Sequence, residues 1–228
     1  MKIDYAIVSS DKNPLYLDFW EIVRDAWIKI GIKPILVFIS DKDDIEIHDD
    51  YIIHSIKEIE NINTGFQSQI SRMYISRYYK NNVLLTSDID MIPLSKSFFN
   101  NITNDIEDTN LAILSSDAYG TGRYPICYNV AKGKTYCDIL DSDCSFEIYC
   151  KKLETFGWGW NTDELYFGLM VDKYDQNKIV KIKRGWGTGI ADRRIDRVRW
   201  SYNIEKINSG FYIDCHSKRP FGLYKNEL

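Results

Sequence analysis

An α/β fold with a mostly parallel central sheet and helices on both faces is what this sequence predicts, on three observations. Through residues 1–95, short apolar runs alternate with amphipathic helical stretches, the pattern of strands joined by crossover helices. The runs at 3–8 and 34–39 are apolar at consecutive positions, as in strands buried on both faces. At 228 residues and 44% hydrophobic, the chain can bury one sizeable core, so a single domain over 1–228 is expected, in two halves, 1–95 and 96–228.

Residues 3–8 open the chain as a strand that stops at Ser9-Ser10-Asp11. Asn13 then makes a helix N-cap and Pro14 a first helical residue. A helix over 15–30 carries Leu15, Phe19, Ile22, Val23, Ala26, Trp27 and Ile30 on one stripe, with Gly31 as its stop. Strand 34–39 follows, then an acid-rich solvated loop over 41–50 and a short strand at 51–54. A second amphipathic helix over 64–79 turns Phe66, Ile70, Met73 and Tyr78 inward and leads into a strand from Val83. Beyond Pro93 the regularity loosens. Strands are expected at 111–115 and 124–130, helices at 145–156 and 163–173, and a last strand at 211–214 after Gly-, Arg- and aromatic-rich loops.

The most informative stretch is Ser87-Asp88-Ile89-Asp90-Met91-Ile92-Pro93, at the end of the Val83 strand. In extended chain, residues two apart share a face, so Asp88 and Asp90 point together and Ile89 turns into the core. Two such carboxylates raise each other's pKa unless a cation or hydrogen-bond donors lie between them. Oxygen ligands suit hard ions such as Mg²⁺ and Mn²⁺, which in turn grip phosphate oxygens. The competing reading is a plain loop start, where Asp is common. In parallel sheets ligands bind at the carboxyl ends of the strands, where both this pair and Ser9-Ser10 fall.

Bulk properties exclude several classes. Net charge is −4, from 29 basic and 33 acidic residues, which argues against nucleic acid as a partner. No apolar run has the length of a signal peptide or membrane span, so a cytoplasmic protein is expected. Five cysteines, without the paired spacing of zinc sites, are expected as free thiols. His48 and His54 lie in polar stretches and are expected at the surface.

An ordered set of motifs resembles the GT-A-type glycosyltransferases, nucleotide-sugar-dependent enzymes with one Rossmann-like domain and an Asp-x-Asp metal motif. The set comprises the opening strand and helix, Gln67-Ser68-Gln69-Ile70-Ser71-Arg72, Ser87 to Leu94, Trp158-Gly159-Trp160-Asn161-Thr162-Asp163-Glu164, and Asp214-Cys215-His216-Ser217-Lys218-Arg219-Pro220. It spans almost the whole chain and is most similar to compact single-domain enzymes of large DNA viruses and bacteria. The resemblance implies transfer of a sugar from a nucleotide-diphosphate donor, a UDP-sugar, to a glycan hydroxyl. It implies Mn²⁺ or Mg²⁺ held by Asp90 and His216, with Asp88 meeting the metal or the ribose. Residues 1–95 would bind the nucleotide sugar and 96–228 the acceptor. The bases after His216 depart from the usual Gly and Lys spacing; Arg219, beside Lys218, is the one expected at the diphosphate. Two other readings stay open: a sugar-phosphate nucleotidyltransferase, and a catalytically inactive glycan-binding transferase fold.

The remaining positions each carry a plain alternative. Arg72 precedes the Asp88 strand on a helix, where an inward guanidinium reaches a diphosphate and an outward one is only solvated. Gln67 and Gln69 cannot share a helix face, so at most one looks into the site. Asp163 and Glu164 open a helix, where acids favour the dipole; one of them, Asp163 by preference, is the candidate base for the acceptor hydroxyl. Trp158 and Trp160, alternating with glycines, suit sugar stacking or an ordinary core. The run Ala191-Asp192-Arg193-Arg194-Ile195-Asp196-Arg197, after Gly185-Trp186-Gly187-Thr188-Gly189, is either a set of arginines that neutralise the leaving diphosphate or a salt-bridged surface in which Asp196 and Arg197 pair.

Overall fold

The computed structural model describes residues 1–120, 122–184 and 193–227. In chain order its strands are β1 (Tyr5–Ser10), β2 (Lys33–Ser40), β3 (Asp44–Ile47), β4 (Ile52–Lys57), β5 (Val83–Thr86), β6 (Met91–Pro93), β7 (Leu111–Ile113), β8 (Asn129–Lys132), β9 (Ile179–Lys181), β10 (Arg194–Asp196) and β11 (Asp214–His216). Its helices are α1 (Pro14–Leu17), α2 (Trp20–Ile30), α3 (Thr64–Tyr74), α4 (Lys96–Asn101), α5 (Gly133–Leu140), α6 (Phe146–Glu154), α7 (Thr162–Lys173), α8 (Ile204–Asn208) and α9 (Phe221–Tyr224). Eight strands form the main sheet in the order β3-β4-β2-β1-β5-β8-β7-β9, and β10-β11-β6 form a small second sheet. The run β4-β2-β1-β5 and the pair β7-β9 are parallel; β3, and β8 against both its neighbours, are antiparallel.

Consecutive strand residues divide between two cores, as the apolar runs require. Ile7, Ile35, Val37, Leu84, Leu111 and Ile113 pack on the α3, α5, α6 and α7 side. Ala6, Val8, Leu36, Leu85, Ala112 and Leu114 pack with α2 on the other. The sheet is therefore covered on both faces along β1, β2, β5 and β7, where apolar residues follow one another. Asn13 caps α1 by accepting from the Leu15 amide, and Gly31 ends α2 at φ 87°, a left-handed conformation open to glycine.

Several boundaries differ from the sequence expectation, for identifiable reasons. The 15–30 helix is interrupted at Asp18-Phe19, where the Phe19 amide bonds to Tyr16 O at 3.0 Å and tightens the turn, sinking Phe19 completely. The acid-rich loop contains β3, an edge strand with Ile45 and Ile47 exposed; edge pairing needs no buried face, so alternation does not reveal it. After α3 the chain tightens into a 3₁₀ turn over Ile75–Tyr79. That change of period turns Tyr78 outward, contrary to expectation, and Tyr79 in against Tyr5.

His54, expected at the surface, is buried: β4 aims it at Tyr78 and Tyr79, with Nδ1 3.2 Å from the Tyr79 hydroxyl. Residues 124–128 are buried without strand pairing, so the expected 124–130 strand begins only at Asn129. The last strand starts at Asp214, further along than expected, because β6 and β10 pair there. The expected helices over 145–156 and 163–173 appear as α6 and α7. No helix among the described residues is long and apolar enough to cross a membrane.

Candidate active site

A cleft of about 860 Å³ opens at the carboxyl ends of β1 and β2, between the start of α3 and the loop before α7. Ser9, Arg72, Asp88, Asp90, Asp163, Glu164, His216 and Arg219 all line it, so residues spread over most of the sequence share one cavity. Ser9 and Ser10 come from the end of β1, and Gln69 and Arg72 from the inward face of α3.

β5 delivers the carboxylate pair through a turn closed by the Met91 amide on Asp88 O at 3.2 Å, with Ile89 buried beneath. The next residues form β6, which pairs antiparallel with β11 so that Met91 faces His216. The Ser217 amide bonds to Asp90 O at 2.9 Å. This backbone register brings His216 Nε2 to 3.5 Å from Asp90 Oδ2. Arg197 Nη1 and Arg219 Nε approach the same oxygen at 3.0 and 3.3 Å. Burial alone would raise the Asp90 pKa, but His216, Arg219 and Arg197 together hold it below the usual carboxylate range.

A second group in the cleft is rich in carboxylates. Arg72 is buried beside it, donating to Asp88, to Ser87 O at 3.1 Å and to Asp163 Oδ2 at 2.8 Å. Burial disfavours its charge, yet Asp88 and Asp163 raise its pKa above the ordinary arginine value. Asp163 is only 2% exposed, and burial pushes its carboxyl up to about 7 against the pull of Arg72. Glu164 is also raised by burial, opposed by Arg123, whose Nε donates at 2.8 Å; the Tyr119 hydroxyl donates at 3.1 Å. Arg123 lies over the Tyr119 ring at 4.2 Å and also holds Asn161. It comes close because Gly168 in α7 has no side chain; a Cβ there would stand 2.2 Å from Gly122 O.

The remaining sequence candidates separate. Gln69 lines the cleft and donates to Trp160 O at 2.5 Å, whereas Gln67 ties down the carbonyls of Ile59 and Ile62. Trp160 lines the cleft, 62% exposed and stacked on Tyr16; Trp158 is stacked on Phe156 away from it. The arginine run divides: Arg193 bonds to Phe211 O and Gly210 O, Arg194 to Asp214, and Arg197 to Asp90 in place of the expected Asp196. Gly185-Trp186-Gly187-Thr188-Gly189 and Ala191-Asp192 lie outside the described residues. Sequence reasoning missed Tyr119 and Arg123, which sit in an irregular segment without periodicity, and Asp11, which accepts from Thr64 at 2.8 Å.

No protein-family model and no curated protein matches the chain by sequence. Solved structures match by shape. The galactosyltransferase LgtC, solved with donor and acceptor sugar analogues, superposes over 95% of this chain and 87% of its own, with a TM-score of 0.50 at 11% identity. The glycosyltransferase GlyE of Streptococcus pneumoniae matches 94% of this chain with a TM-score of 0.51 at 13% identity. The chain spans 54% of that protein's length. This chain has the GT-A glycosyltransferase fold.

Within this GT-A fold, the donor set decides whether a dication fits. Asp90 and His216 offer an anionic oxygen and an imidazole within 3.5 Å on one cleft wall. Among the described residues no group of three or more His, Cys, Asp or Glu converges to hold a metal ion, and Asp88 is drawn onto Arg72. Asp90 and His216 are thus two donors, which would suit a hard ion only if its other positions went to phosphate oxygens and water.

Proposed function

We propose that this chain is a metal-dependent glycosyltransferase that moves a sugar from a nucleotide-diphosphate donor, a UDP-sugar, to a glycan hydroxyl. The observation that carries this reading is that two groups share one cleft. Three basic side chains gather on Asp90, and Asp163 and Glu164 line the same cleft with Arg72 and Arg123. A diphosphate suits the first group and an attacking hydroxyl the second.

In transfer, the acceptor oxygen bonds to the anomeric carbon while the bond from that carbon to the diphosphate oxygen breaks and leaves its electron pair there. Arg219 stabilises the charge that grows on the leaving diphosphate. Asp90 and His216, with Asp88 near the ion or near the ribose, would hold Mn²⁺ or Mg²⁺, which would supply Lewis-acid stabilisation of the same charge. The hydroxyl proton passes to a carboxylate. Asp163, pushed up to about 7, has the proton affinity for that task, and Glu164 stands next to it. Arg72 holds Asp88 and Asp163 in register, which links the strand-end aspartates to the candidate base. Ser9 closes the donor side, so residues 1–95 serve the nucleotide sugar and 96–228 the acceptor, with His216 and Arg219 crossing back. Five free cysteines support a cytoplasmic setting.

Calorimetry of UDP binding with and without Mn²⁺ tests the reading. The parent protein should bind UDP in a Mn²⁺-dependent way and Asp90→Ala should lose that binding. Parent-like affinity in the variant sinks the assignment.

A further inference from the structure

We infer that Arg197 is a second diphosphate-binding residue, which exchanges Asp90 for a phosphate oxygen when the donor enters with its dication. The inference rests on the reading of the cleft as a nucleotide-diphosphate site and adds a residue and an order of events to it.

The residue is placed by the small sheet. β10 pairs parallel with β11 so that Asp196 faces His216, and Arg197 follows at once, above the same cleft wall. Its guanidinium donates to Asp90 Oδ2 at 3.0 Å while its side chain stays 31% exposed. Its neighbours in sequence are committed elsewhere. Arg194 is 6% exposed and locked on Asp214, and Arg193 is spent on backbone carbonyls. Arg197 is thus the member of the run held at the cleft surface by a single carboxylate contact among the described residues.

Charge supplies the second argument. Arg197, Arg219 and His216 crowd one oxygen of one carboxylate. Asp196, 3.9 Å from His216 Nδ1 and itself part-exposed, is the other carboxylate paired with this group among the described residues. The two guanidinium groups thus share one buried carboxylate oxygen, so an entering anion gives one of them a partner of its own, and a guanidinium forks well onto phosphate oxygens. Arg219 is less free to move, because it also lies over the Tyr16 ring at 4.8 Å. Arg197 and a dication compete for Asp90 Oδ2, since both are cations at one site. Once a diphosphate takes Arg197, Asp90 is released to the ion, so each ligand raises the other's affinity.

The exchange predicts effects of opposite sign. UDP titrated into the full chain in the presence of Mn²⁺ should bind Arg197→Ala about tenfold or more weakly than the parent, the size expected for a lost charge-assisted hydrogen bond. Mn²⁺ alone, followed by the spin-resonance signal of the free ion, should bind Arg197→Ala more tightly than the parent. Arg197→Lys should recover part of the UDP affinity, and Arg199→Ala, at an exposed base two residues on, should leave both affinities unchanged. Parent-like UDP affinity in Arg197→Ala, or weaker Mn²⁺ binding alone, overturns the inference while the donor reading stands. A parent protein that binds no UDP with or without Mn²⁺ overturns both.

Discussion

The Arg72 guanidinium and the Asp163 carboxylate meet at 2.8 Å from positions 91 residues apart in the chain. The same guanidinium holds Asp88, so one buried cation joins the end of β5 to the start of α7 across the cleft floor. Removing it would leave the buried Asp163 carboxyl without its cation, and the part-exposed Asp88 without its partner. Arg72→Met should therefore cost about 3–5 kcal/mol in urea unfolding. The double variant with Asp163→Asn should recover part of that loss, because one of the stranded charges is gone.

On the proposed function, acceptor activation should show in the pH dependence of transfer. With the Asp163 carboxyl pushed up to about 7, kcat/KM should rise as pH passes through that value, because a base must first lose its proton. Asp163→Asn should flatten this limb and slow transfer roughly 10²–10⁴-fold, while UDP affinity stays near that of the parent. An unchanged limb in the variant would move the role to Glu164.

His54 couples stability to pH in the opposite sense from a salt-bridged histidine. Burial pushes its pKa from 6.5 down to about 4, with Asp43 opposing weakly. Between those values the unfolded chain holds the extra proton. The stability it contributes is complete above about pH 6.5 and is lost as pH falls toward about 4, on the order of 3 kcal/mol at the limit. Urea unfolding across this range should show a shallower loss in His54→Phe than in the parent.

Gly168 lets α7 approach the backbone that carries Arg123. A Cβ at 2.2 Å from Gly122 O meets main chain, which cannot rotate away as a side chain would. Gly168→Ala should destabilise by about 1–3 kcal/mol despite its better helix propensity. It should also slow transfer, since Arg123 then loses its hold on Glu164; thermal unfolding and a transfer assay read the two effects separately.

Some of this protein was legible in the chain alone. The alternation of apolar runs and helical stripes fixes the covered parallel sheet, because both faces of β1, β2 and β5 must be apolar. Asn13, Pro14 and Gly31 mark helix ends through local backbone chemistry, and the local spacing of Asp88 and Asp90 marks a strand end, which in the structure lines the cleft. Tertiary packing decided the rest. Whether His54 is buried depends on which tyrosines a 3₁₀ turn lays over β4, which no period in the sequence encodes. Arg197 faces Asp90 from 107 positions away through three-residue strands too short to leave a pattern. An ion pair needs only two groups within a few ångströms, and at such separations the path between them is set by the whole fold.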